Sequence, residues 1–185
     1  MQKRCSWAKT DLEILYHDTE WCQPTHDETM LFEFLILEGM QAGLSWAIIL
    51  NKREAMREAF SQFDPHLIAN YSVEDKLKLL ENKAIIRNRL KINALVTNAQ
   101  CFLDVQKEFG SFDAYIWKFT DGNTINNRLQ SMEDMQATSE ISDQMSKELK
   151  KRGFKFVGST ICYSYMQAIG MVNDHICDCF MHNSM

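Results

Sequence analysis

Only two prolines, Pro24 and Pro65, and seven glycines interrupt a chain of 185 residues. Between those breaks the apolar residues recur mostly at helical spacing, so the expected class is all-α. An irregular opening carries Cys5, Trp7, Tyr16, His17 and Trp21. Residues 27–41 read as a helix with Met30, Leu31, Phe34, Leu35 and Leu37 apolar, and Glu38 follows them where a carboxylate is out of place. The chain can turn at Gly43, and Ser45 is a suitable N-cap for a helix through Ile48, Leu50, Met56 and Phe60. Asp64 and Pro65 open the next. A short helix over 73–81, the run 82–89 and a helical pattern through Ile92, Leu95, Val96, Ala99 and Phe102 together read as helix, short hairpin, helix. Residues 121–142 are polar and weakly periodic and read as a long connection. The last block starts near Ser142, carries Lys147, Lys150, Lys151 and Arg152, pauses over 153–158 and resumes as a helix from Ser159 to about Met171. No repeat and no low-complexity tract is visible.

With 45% hydrophobic residues the chain can bury a real core, and 1–185 is expected to form a single domain of two helical lobes. The formal net charge is −5, so a nucleic-acid partner has to be met by a local basic patch. No apolar run follows the early basic residues Lys3 and Arg4, and no stretch approaches ~18 uninterrupted apolar residues. A soluble, cytoplasmic protein without membrane contact is expected. Six cysteines without a secretory signal favour reduced thiols or metal ligands over a disulfide framework.

Three groups of residues can carry chemistry. His175 and Cys179 are four apart and would share one helical face, while Cys5 and His17 are twelve apart in irregular chain; two ligands from each terminus would clip the ends together around a tetrahedral zinc. Equally, the cysteines can be small buried residues, and Cys177 competes with Cys179 for a metal. Glu38 is the second candidate, with Trp46, Tyr16, Trp7 and Trp21 able to line a pocket around it: aromatic faces stack on nucleobases, and a carboxylate favours a cationic base. A core aromatic cluster with Glu38 at a helix end fits the same pattern. Third, Lys83, Arg87, Arg89 and Lys91 flank a tight turn whose amides can face a phosphate, and 147–155 can extend that patch; a solvated basic face is the plainer alternative.

Taken together, Cys5 with Trp7, the run YHDTEW from Tyr16, LEGMQAGLSW from Leu37, IIRNR from Ile85 and KKRGFKFVGSTICYSYMQAIGMVNDH from Lys150 resemble the DNA-3-methyladenine glycosylase I family, zinc-containing helix-hairpin-helix glycosylases, over nearly the whole chain. The resemblance implies one structural zinc on Cys5, His17, His175 and Cys179. It implies base recognition by Glu38, Tyr16 and Trp46 with Trp7, Trp21 and Ser164 nearby. It also implies DNA contact through the 85–89 hairpin with Arg87 and Arg89, through Lys151, and through the Gly43–Leu44 turn, which would enter the gap left by an extruded nucleotide. The expected substrate is double-stranded DNA containing alkylated adenine, the product free 3-methyladenine, and the protein a monomer. A methylated N3 makes the base a good leaving group, so Glu38 would recognise rather than protonate. Two departures stand out: Glu13, where the family commonly carries an aromatic residue, and Cys22, where glycine usually follows Trp21. The alternatives are a glycosylase for another alkylated base, such as 7-methylguanine, or a catalytically weak, zinc-stapled binder of damaged DNA.

Overall fold

The computed structural model describes residues 2–183 and is all-α apart from one two-residue strand pair. The opening is less irregular than its sequence suggests, because Asp11–Thr19 forms a helix, α1. Thr10 and Glu13 start it with a reciprocal capping box, which satisfies two otherwise orphaned amides. Leu12 and Leu15 face solvent and only Tyr16 and His17 are buried, so α1 has no apolar stripe for a periodicity argument to find.

Helix α2 (Glu28–Gln41), capped by Asp27 on the Met30 amide, is the centre of the molecule: every residue from 31 to 40 is buried. A helix apolar all round must be enclosed, and α2 is packed against α3 (Trp46–Ala59), the long α6 (Arg89–Phe109) and α9 (Ser159–Ala168). Each fully buried Leu or Phe on it contributes roughly 1.5–3 kcal/mol. Two carboxyls interrupt this apolar helix and are treated differently. Glu33 accepts from Arg53 Nε at 2.6 Å and Arg57 Nε at 2.9 Å, both on α3, whereas Glu38 Oε2 has no protein partner.

Ser45 caps α3 and Asp64 caps the single turn α4 (Pro65–Ile68), as the sequence suggests. Helix α5 (Val73–Glu81) and α6 flank a hairpin over 82–88, and Asn88 caps α6 through the amides of Leu90 and Lys91. After α7 (Phe112–Ile116), the long connection contains a strand that its composition hides: β1 (Ile125–Asn126) pairs in parallel with β2 (Val172–Asn173), and α8 (Glu140–Lys151) begins behind a Ser139 cap.

The segment carrying His175 and Cys179 is not helical. It leaves β2 and turns, with the Cys179 amide on the Ile176 carbonyl, so the two residues converge through a turn instead of a helix face. Gly170, at φ +77, makes the preceding turn possible: a Cβ there would lie 2.3 Å from the Pro24 nitrogen. Segments near the two ends of the described residues meet, Phe180 N–H bonding to the Lys3 carbonyl at 3.0 Å. Among the described residues no helix is long and apolar enough to cross a membrane, and all six cysteines lie outside disulfides.

Candidate active site

A cavity of about 280 Å³ opens beside the end of α2, walled by Tyr16 of α1, Trp7 and Trp21 of the loops flanking α1, and Trp46 at the start of α3. Its size suits one planar bicyclic base better than a drug-sized ligand. The Tyr16 and Trp46 rings are 5.1 Å apart and tilted, and Trp7 meets Trp21 edge to face at 5.0 Å. Glu38 and Ser164 also line the cavity, so all six residues expected at a base pocket come together. Three buried polar atoms on this wall have no protein partner: Glu38 Oε2, Trp46 Nε1 and Trp7 Nε1. Buried polar atoms are seldom left so, which marks the cavity as built for a ligand with polar edges. Burial alone pushes the Glu38 carboxyl up to about 8, so in the open pocket near neutrality it is mostly protonated.

Glu13 and Cys22 each have a definite place in the structure. Glu13 is the third residue of the α1 capping box and also lines the cavity. Cys22 sits at φ 64, a left-handed conformation that favours glycine; its amide bonds to the Gln167 carbonyl at 2.8 Å and its sulfur accepts from the Asp174 amide. Cys22 is fully buried and is not among the residues lining the cavity.

Cys5, His17, His175 and Cys179 form a second, wholly buried cluster whose ligand atoms all lie within 4.8 Å of one another. Cys179 Sγ is 3.4 Å from His17 Nε2 and 3.5 Å from His175 Nδ1, and Cys5 Sγ is 3.7 Å from His175 Nδ1. A tetrahedral ion with bonds of about 2.3 Å to sulfur and 2.0–2.1 Å to nitrogen has sulfur–nitrogen edges of about 3.5 Å, so the spacing fits. The outer ring nitrogens are engaged as well, His17 Nδ1 with Asp18 Oδ1 at 2.8 Å and His175 Nε2 with the Trp21 carbonyl at 3.2 Å. Those contacts fix the tautomers that leave lone pairs facing the cluster. Burial pushes His175 down to about 4 and lowers His17, so both imidazoles are neutral donors, whereas the buried Cys5 thiol is pushed up to about 12 and needs a cation beside it to ionise. The same Trp21 whose indole walls the cavity lies edge-on to His175, 4.7 Å between centroids, so the metal-type cluster buttresses the pocket.

The third group is a surface. Ile85 anchors the hairpin in the core, and Lys52 of α3 donates to the Lys83 and Ala84 carbonyls, leaving Arg87 and Arg89 exposed. Lys91 does not belong to this basic face: it is buried, and its ammonium donates at 2.7 Å to the carbonyls of Met40 and Ala42 at the end of α2. Lys151 is exposed at the end of α8, and the Gly43–Leu44 turn, with Gly43 at φ +78, projects between α2 and α3. Sequence reasoning missed Met132 and Met135, which reach the cavity from the long connection, together with Gln41 and Gln167. The only signal for the methionines is their spacing of three within a polar stretch.

An all-α chain with an aromatic pocket around an unpaired buried carboxyl, and an exposed basic hairpin between two helices, has the make-up of a nucleobase-recognising protein. The sequence pattern of the methyladenine glycosylase family matches residues 7–182, and the chain belongs to that family. DNA-3-methyladenine glycosylase 1 of Escherichia coli (strain K12) is 45% identical over 178 residues, covering 96% of this chain and 95% of that protein. Among solved structures, 3-methyladenine DNA glycosylase I superimposes with a TM-score of 0.95 at 49% identity, over 97% of this chain and 100% of that one. A tyrosine-to-phenylalanine form of 3-methyladenine DNA glycosylase I in complex with 3-methyladenine gives 0.93 at 34% identity, over 96% of each chain.

Proposed function

We propose that this protein is a monofunctional DNA glycosylase that hydrolyses the N-glycosidic bond of 3-methyladenine in alkylated double-stranded DNA. The observation that carries the reading is the unpartnered Glu38 carboxyl inside a Trp- and Tyr-walled cavity of base size. The similarity of nearly the whole chain to proteins named for this activity supports it.

In this reading Arg87, Arg89 and Lys151 hold phosphates, Leu44 fills the gap left by the extruded nucleotide, and the flipped base stacks on Trp46. Glu38 and Tyr16 read its edge, and Trp7, Trp21 and Ser164 complete the pocket. Flipping costs a few kcal/mol, least for a poorly stacked damaged base. N3-methylation already gives the adenine a positive charge, so when the bond to the sugar breaks the base takes the electron pair and leaves neutral. Water adds to the sugar carbon and its proton passes to solvent. A cation in the pocket favours ionised Glu38, whose task is recognition, with no proton to supply. Cys5, His17, His175 and Cys179 hold one structural zinc; with four protein ligands it joins the termini and steadies Trp21. Residues 1–185 act as one domain, as a monomer.

The test is chromatography of bases released from methylated duplex DNA. Free 3-methyladenine in the supernatant is the expected result. Release of 7-methylguanine alone, or retention of the DNA without abasic sites, contradicts the reading.

A further inference from the structure

The base pocket holds a second carboxyl. Glu13, in the first turn of α1, is half-buried and lines the cavity with Glu38. Its Oε2 accepts from the Thr10 amide and hydroxyl, each at 3.0 Å, and from the Lys9 amide at 3.2 Å. Burial raises its pKa, but those donors outweigh burial, and with the nearby Lys9 charge they hold it below the usual carboxylate range. Glu38, with nothing donated to Oε2, goes the other way. Near neutrality the open pocket therefore presents one fixed negative charge, Glu13, and one protonated carboxyl. Among the described residues lining the cavity there is no Lys, Arg or His, and the cation beside Glu13, Lys9, lies outside that lining.

We propose that Glu13 is a specificity-determining residue of the pocket, its carboxylate favouring a cationic N-alkylated purine still joined to its sugar over the neutral base that cleavage releases. The inference rests on the glycosylase reading. Before cleavage the methylated base carries a positive charge; as the bond to the sugar breaks, its electron pair passes to the base, water oxygen bonds to the sugar carbon and a proton goes to solvent. The attraction to Glu13 disappears at that moment. Glu13 thus strengthens the hold on substrate without strengthening the hold on product.

Glu13→Gln is the suitable variant, because an amide oxygen also serves at the third position of a capping box and α1 keeps its start. Tryptophan fluorescence titrations of wild type and variant use two probes, the 3,9-dimethyladeninium cation and neutral 3-methyladenine. For a partly exposed charge, the variant is expected to bind the cation about three- to tenfold more weakly and the neutral base within about twofold of wild type. As an independent measurement on the unaltered protein, its preference for the cation should shrink as salt is added. An unchanged preference in the variant, an equal change for both probes or tighter cation binding overturns the inference while leaving the glycosylase reading intact. Wild type that binds neither probe overturns both.

Discussion

Glu38 lies at 3% exposure, and its pKa of about 8 compares with 4.5 for a solvated glutamate. Between those values the folded chain holds a proton that the unfolded chain has released. The stability this contributes is complete below pH 4.5 and is lost as pH rises through about 8. Glu38→Gln cannot release that proton, so above pH 8 the variant is expected to unfold later than wild type, by on the order of a few kcal/mol, with the difference vanishing toward pH 4.5. Thermal melts across that range check it; a difference independent of pH contradicts it. The sequence shows Glu38 to be anomalous, because a carboxylate inside an apolar helical run needs a partner or a pocket. It gives no way to separate it from Glu33, equally embedded on α2, whose partner is Arg53, 20 residues away. Long-range pairing of this kind is set by packing and leaves no local trace.

At the scale of elements, strong caps and apolar stripes were readable: Ser45 and Asp64 open their helices as expected, the helix expected over 27–41 forms behind an Asp27 cap, and α5 has the expected bounds. Where a helix buries little, as α1 does, or a strand is two residues long, as β1 and β2 are, the periodicity has nothing to act on. Lys91 shows the same limit for charge. In sequence it is one of four cations around a hairpin; in the fold it ties the start of α6 to the carbonyls that end α2, just past Glu38 and just before the Gly43–Leu44 turn. Helix C-terminal carbonyls lack partners of their own and carry partial negative charge, so the Lys91 ammonium supplies donors where they are needed, although burial lowers its pKa. Lys91→Met is expected to lower stability by about 2–3 kcal/mol, since two buried carbonyls lose a charged donor. Denaturant unfolding checks this, and a variant as stable as wild type would remove Lys91 from the structural account.

For the whole molecule, family resemblance in the sequence reached further than spacing did. Spacing offered the Cys/His set only as one possibility and placed His175 and Cys179 on a helix that is absent, yet four buried ligand atoms still converge. Because two come from each end of the chain, an ion held there would close nearly all of it into a loop. By analogy with cross-links of comparable span, its removal should cost about 4–5 kcal/mol or more. Metal analysis of the purified protein should give one zinc per chain, and a chelator strong enough to extract it should lower the melting temperature; a metal-free protein of undiminished stability contradicts the staple. The role proposed for Glu38 is recognition of a cationic base in the aromatic pocket. Its most direct test is single-turnover release of 3-methyladenine from alkylated duplex DNA by wild type and Glu38→Gln. Loss of one hydrogen bond to a charged group predicts a rate lower by about 10- to 100-fold in the variant. Equal rates for the two proteins would contradict that role.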